Sequence, residues 1–154
     1  YWCKNEFEEL SLDTNIVQIN NSVSPQKGTL RGLHYQRPPK AETKIVRCIR
    51  GSIWDVIVDI REGSSTYGKW YGTELNDNNR TMMYVPQGFA HGFQTLADNV
   101  ELLYLHSEFY SKKHEGGLLY ADKTVNIDWP LPVSEISERD KVHPMLSELN
   151  PIRL

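Results

Sequence analysis

The chain has 154 residues, 39% apolar and 24% charged, with a net charge of −3. That suffices for a buried core in one domain spanning 1–154 without disulfide or metal staples, and it excludes wholesale disorder. No basic excess marks a nucleic-acid binder, and no apolar run nears the roughly 18 residues of a membrane-crossing helix.

The predicted elements run as follows. Asn5 to Leu12 reads as a short helix, with Phe7 and Leu10 three apart and Glu8 and Glu9 outward. A series of strands follows. Lys44–Arg50 is rich in β-branched residues. Ile53–Ile60 is the clearest strand, with Trp54, Val56, Val58 and Ile60 on one face and Ile53, Asp55, Ile57 and Asp59 on the other. Apolar content on both faces predicts a strand inside a sandwich or barrel. Trp70–Leu75, Thr81–Val85, Phe93–Leu96 and Val100–His106 continue the series, with turn residues between them. Many short strands at this spacing predict an all-β sandwich or barrel. The C-terminal part is less regular, with Pro130, Pro132, Pro144 and Pro151. Ser137 is placed to cap a helical turn reaching Asp140.

Cys3 and Cys48, the only cysteines, cannot make a zinc site alone. They read as two free thiols of a reducing cytoplasm, with one disulfide as the alternative. Tyr1-Trp2-Cys3-Lys4 has neither the basic nor the apolar region of a signal peptide, and the missing initiator Met implies that a segment was removed or left out.

Five histidines offer groups that titrate near neutrality. His34 stands in Arg31-Gly32-Leu33-His34-Tyr35-Gln36, where a glycine lets backbone approach a ligand closely. His91 stands in Pro86-Gln87-Gly88-Phe89-Ala90-His91-Gly92-Phe93, a shaped turn feeding a strand. Both read as positioned. His106 ends a strand and fits either a structural or a functional role. His114 and His143 lie among polar residues and read as surface groups. No H-x-H pair is present, so a metal site would need ligands from separate strands.

Asp140 is either a solvated helix-face residue or a carboxylate that orients a histidine. Asp55 and Asp59 are a second source of such a partner, and a salt bridge to Arg61 is the structural alternative for Asp59. Tyr104 lies mid-strand, either as core or as a phenol able to protonate a carbanion. Tyr110 either stacks on a flat base or anchors a loop. Lys44 either snorkels or points a charge into a cavity. No P-loop, G-x-G-x-x-G or G-x-S-x-G is present. Phosphate binding would fall to dispersed cations such as Arg31, Lys44 and Arg139.

Five segments in order carry a more specific signal: Gln18-Ile19-Asn20, Gly28-Thr29-Leu30-Arg31-Gly32-Leu33-His34-Tyr35-Gln36, Asp55-Val56-Ile57-Val58-Asp59-Ile60-Arg61, the Pro86–Phe93 run and Ser137-Glu138-Arg139-Asp140. From about Phe7 to Leu146 the chain resembles the dTDP-4-dehydrorhamnose 3,5-epimerase family. The resemblance implies a cupin-like jelly roll (double-stranded β-helix), a homodimer, and no metal or organic cofactor. It implies a nucleotide-linked 4-keto-6-deoxy sugar as substrate, epimerised at C3 and C5 through an enolate. By the same resemblance His34 is the base and Asp140 raises its basicity. Lys44 holds the enolate oxygen, Tyr104 returns a proton to the opposite face, and Tyr110 stacks on the nucleobase. Arg31, His91, Gln18, Asn20, Glu115 and Arg139 carry over as substrate contacts.

The chain departs from the family pattern in places. The family normally begins with a segment like D-x-R-G-x-F-x-E, whose arginine is absent here. Arg139 stands where lysine is usual, and Tyr120-Ala121-Asp122-Lys123 replaces a W-x-D-P segment. These departures bear on the nucleotide and the sugar more than on the reaction class. The alternatives are an epimerase acting at one carbon or on a GDP, UDP or CDP sugar, a non-catalytic sugar-nucleotide-binding cupin, and a metal-dependent cupin oxygenase.

Overall fold

A computed structural model describes residues 1–13 and 15–154. The helix α1 (Lys4–Glu9) precedes the strands β1 (Gln18–Ser24), β2 (Thr29–Gln36), β3 (Lys44–Arg50), β4 (Ser52–Asp59) and β5 (Trp70–Asn76). Then come β6 (Met82–Val85), β7 (Phe89–Thr95), β8 (Val100–His106), β9 (Glu115–Gly117), β10 (Glu135–Ile136) and the short helix α2 (Glu138–Lys141). One sheet has the order β1-β8-β3-β6. The other has the order β10-β2-β7-β4-β5, with β9 pairing β2. All pairs except β10–β2 are antiparallel. Two facing sheets with these crossings form the jelly roll that the resemblance implies, within the sandwich-or-barrel class that the strand spacing predicts.

The two sheets close over one core, built from Val46, Cys48, Ile53, Ile57, Phe93 and Leu102 among others. A second core lies on the outer face of the larger sheet. There Leu33, Val56, Val58, Ile60 and Ala90 pack against Leu118, Val125, Leu146 and Ile152 of the C-terminal segment. This second layer explains the two-faced β4: one face meets the opposite sheet and the other meets the returning chain.

The expected strands from Lys44 onward are all present, as are the N-terminal helix and the Ser137 cap, whose Oγ accepts the Asp140 N–H at 3.1 Å. Four strands lie outside the periodicity reading: β1, β2, β9 and β10. β1 reads Gln-Ile-Asn-Asn-Ser-Val-Ser and is an exposed edge, so no apolar alternation marks it. β2 is masked by a bulge. Its pairing with β7 shifts between Arg31 and His34. Three residues apart, these two would face opposite sides of a regular strand; the extra residue turns both to the same side. Gly32 sits in the bulge at φ +122°, and a Cβ there would stand 2.6 Å from the Gly92 Cα, so only glycine fits. Cys3 and Cys48 are both free thiols.

Candidate active site

The bulge and the strand registers together line one cavity between the sheets. On the smaller sheet, Gln18, His106 and Lys44 form one cross-strand row, and Asn20, Tyr104 and Val46 form the next. Directly opposed residues share a face, so these rows present their side chains together. On the larger sheet, Arg31 and His34 of β2 lie beside His91 and Phe93 of β7. The cavity has two adjoining lobes of about 530 and 460 Å³. The inner lobe is lined by Asn20, Arg31, His34, Lys44, His91, Tyr104 and His106. The outer lobe adds Gln18, Glu42, Tyr110, Glu115 and Arg139.

His34 Nε2 lies 2.8 Å from Asp140 Oδ1. The other Asp140 oxygen accepts the Gly32 N–H at 3.1 Å. Burial works to raise the Asp140 carboxyl; the His34 bond and charge and the Gly32 and Ser137 donors outweigh it and hold it well below the usual range. An ionised carboxylate only accepts, so the Nε2–H tautomer of His34 donates to Asp140 at the shorter distance, with Arg139 Nη2 standing 3.1 Å from the same nitrogen. Nδ1 is then the ring's free lone pair, on a side chain 33% exposed to the cavity. His91 has a similar partner: its Nε2 lies 2.8 Å from Asp55 Oδ1, both deeply buried. Asp59 instead binds Arg61 through Nε at 2.9 Å and Nη2 at 2.7 Å, with further bonds from Ser64 and Thr66. Of the two aspartates weighed as histidine partners, Asp55 takes that role and Asp59 the structural one.

Tyr104 is half-buried, and burial pushes its phenol far up, so it keeps its proton at neutral pH. Lys44 Nζ bonds Glu42 Oε1 at 3.0 Å. Tyr110 is 60% exposed and donates its hydroxyl to Glu115 Oε2 at 2.9 Å. Arg139 Nη1 reaches the same oxygen at 3.2 Å, and Gln18 Nε2 donates to Asn20 Oδ1 at 3.1 Å. Every residue carried over by resemblance therefore lines one of the two lobes, except Asp140, which stands behind His34.

His143 differs from its surface reading. Its ring packs edge-on to His34 with centroids 5.6 Å apart, and its Nε2 lies 3.3 Å from Asp140 Oδ1. Burial lowers its pKa. It fills the space a Cβ at Gly117 would need. Polar neighbours in sequence concealed this, because the contact comes from β9 and α2 folding together. Glu42 was also missed; one carboxylate two residues before Lys44 carries no signal of its own. Among the described residues, one set of metal-ligand types converges: His34, Asp140 and His143, with ligand atoms within 4.8 Å of one another. This is the His34–Asp140 pair together with its neighbour His143. Arg139 Nη2 stands 3.1 Å from His34 Nε2, a fixed positive charge where a cation would bind.

A family model described as dTDP-4-dehydrorhamnose 3,5-epimerase matches residues 1–148. The chain belongs to that family. It is 47% identical over 135 residues to the dTDP-4-dehydrorhamnose 3,5-epimerase of Shigella flexneri, covering 87% of this chain and 74% of that one. The crystal structure of the Bacillus anthracis dTDP-4-dehydrorhamnose 3,5-epimerase, with TDP and PPi bound, superposes with a TM-score of 0.91. The two share 41% identity over 94% of this chain and 82% of that one. A Legionella pneumophila dTDP-6-deoxy-D-glucose-3,5-epimerase, in complex with dTDP-4-keto-L-rhamnose, gives the same TM-score. It is 36% identical and covers 100% of this chain and 84% of that chain. Membership of this epimerase family makes the protein an isomerase, and its jelly roll is the family's.

Proposed function

We propose that the protein epimerises a nucleotide-linked 4-keto-6-deoxy sugar at C3 and C5, as dTDP-4-dehydrorhamnose 3,5-epimerases do, without a metal or organic cofactor. One observation carries the mechanism: a carboxylate-backed histidine, a lysine and a half-buried phenol converge on one cavity. The ketone acidifies the hydrogens on both neighbouring carbons. His34 Nδ1 removes one of these protons, and the C–H electron pair moves into the ring to leave an enolate oxygen. Asp140 stabilises the imidazolium that forms. Lys44 donates to the enolate oxygen, where a preorganised donor is worth most. The Tyr104 hydroxyl then gives its proton to the opposite face. His34 releases its proton to solvent, the phenolate regains one, and the cycle repeats at the second carbon.

The outer lobe takes the nucleotide. Tyr110 offers an exposed ring for the base. Arg31 of the inner lobe and Arg139 of the outer lobe bring guanidinium groups to the phosphates between them, with His91 in the inner lobe and Gln18, Asn20 and Glu115 in the outer lobe completing the substrate contacts. The test is deuterium uptake from D₂O into dTDP-4-keto-6-deoxyglucose, read by NMR. Two deuterons, at C3 and C5, are expected. One deuteron would indicate a single-centre enzyme, and none would overturn this substrate.

The residues 1–154 act as one domain of a cytoplasmic homodimer. Two free thiols suit a reducing compartment, and no helix among the described residues is long and apolar enough to cross a membrane. β1 is an open sheet edge carrying Ile19 and Val23, 62% and 57% exposed. Such an edge is covered in a stable protein, and a second copy covers it most simply. Sedimentation should give twice the chain mass at micromolar concentration; a monomer there would overturn the dimer.

A further inference from the structure

His106 and Glu42 line the cavity but have no part in the mechanism above. They belong to a directional chain of hydrogen bonds. Gln18 Nε2 donates to Asn20 Oδ1 at 3.1 Å, which leaves the Asn20 amide nitrogen facing His106 Nε2 at 3.4 Å. On its other side His106 Nδ1 lies 2.9 Å from Glu42 Oε2, and Lys44 Nζ reaches Glu42 Oε1 at 3.0 Å. Glu42 is an anion: burial works to raise its carboxyl, but His106 and Lys44 lower it further.

Donor accounting settles the ring. A carboxylate only accepts, which puts a proton on Nδ1, and the Asn20 amide nitrogen only donates, which leaves the lone pair on Nε2. The Asn20 contact to that lone pair is long, and Asn20 is exposed, so a ligand donor can replace it. His106 and Lys44 are direct cross-strand partners on β8 and β3, and both line both lobes. Opposed side chains of this kind stand about 5 Å apart at Cβ. The sheet thus offers the substrate a fixed donor beside a fixed acceptor.

We propose that His106, oriented by Glu42, accepts a hydrogen bond from the sugar hydroxyl next to the ketone, making it a specificity-determining residue for α-hydroxy ketones. The inference rests on the functional reading above, with Lys44 on the ketone oxygen. A carbonyl cannot donate to Nε2, but the neighbouring C3 hydroxyl can. Glu42 is a positioning residue: it holds Lys44 and His106 as one unit, so the donor–acceptor pair keeps its spacing. A site built to pair with a hydroxyl discriminates against an analogue lacking it, because the polar group is left unpaired.

The experiment compares dTDP-4-keto-6-deoxyglucose with its 3-deoxy analogue, both of which keep an exchangeable C5 hydrogen. Deuterium incorporation at C5 gives kcat and KM for each. The wild-type protein should favour the hydroxylated sugar by about tenfold in kcat/KM, the worth of one well-made hydrogen bond. His106→Ala should abolish that preference, mainly by raising KM for the hydroxylated sugar alone. His106→Gln, whose amide oxygen reaches near the Nε2 position, should restore part of it. Glu42→Ala should weaken the preference and also lower kcat on both sugars, through Lys44. Each comparison is a ratio between two sugars on one preparation, so a loss of folded protein cancels. A preference unchanged in His106→Ala overturns the role of His106 while leaving the epimerase reading intact. Absence of exchange on both sugars in the wild-type protein overturns the epimerase reading and this inference with it.

Discussion

His34 and Tyr104 share one cavity but meet opposite electrostatic demands. His34 has a free lone pair because Asp140 accepts a hydrogen bond from its other ring nitrogen at 2.8 Å. Tyr104 keeps its proton because burial penalises the phenolate. In the proposed reaction, base and acid are therefore assigned by environment. Substitutions should separate the two roles. His34→Ala should abolish deuterium uptake at both carbons while the protein still binds dTDP. Tyr104→Phe should allow proton loss and return on the same face, so exchange survives while inversion falls by 10²-fold or more. Equal loss of exchange and inversion in Tyr104→Phe would give the tyrosine another role. Both residues were legible in the sequence through their segments. The pairing of His34 with Asp140 was implied by the resemblance and not by the residues themselves, because the two lie over a hundred positions apart.

At the scale of elements, the C-terminal segment places the carboxylate that partners His34. α2 is only four residues long, and it is anchored by the Ser137 cap and by Asp140 bonding Gly32. The chain between β9 and α2 is held by the outer core, where Leu118 is fully buried and exchanges backbone bonds with Leu33. Leu118→Ala should cost about 3 kcal/mol of stability, a fall of roughly 6–12 °C in the melting midpoint. A loss under about 1 kcal/mol would show that the outer layer does not hold the segment. β4 was readable because both its faces are apolar. β1 was not, because an edge strand gains its order from β8 and needs no alternation of its own.

For the molecule as a whole, acid is the natural probe. Folded Asp59 is held well below the usual range; burial opposes this, and the bonds from Arg61, Ser64 and Thr66 prevail. An unfolded aspartate titrates near pH 3.9, about where its protonation begins to favour unfolding. Below that pH the unfolded chain binds the proton that the folded one refuses, so stability falls by about 1 kcal/mol per pH unit from this group. Above about pH 5 its contribution is complete. Asp59→Asn should therefore cost about 3 kcal/mol in urea unfolding at pH 7 and about 1 kcal/mol less at pH 3. A penalty equal at both pH values would show that Asp59 titrates normally when folded.

The sequence by itself determined the all-β class, the reach of the main strands and, through five ordered segments, the family. These are local properties, written in alternation, turn residues and short runs of side chains. Only the tertiary structure decided that Asp55 meets His91 and that Glu42 meets both Lys44 and His106, and it gave the Asp140–His34 pair, implied until then by resemblance alone, its geometry. It also turned His143 from a surface residue into a buried neighbour of the base. The reason is physical. Strand register and a one-residue bulge set which side chains share a face. Both follow from how distant strands pair, so no local window contains them.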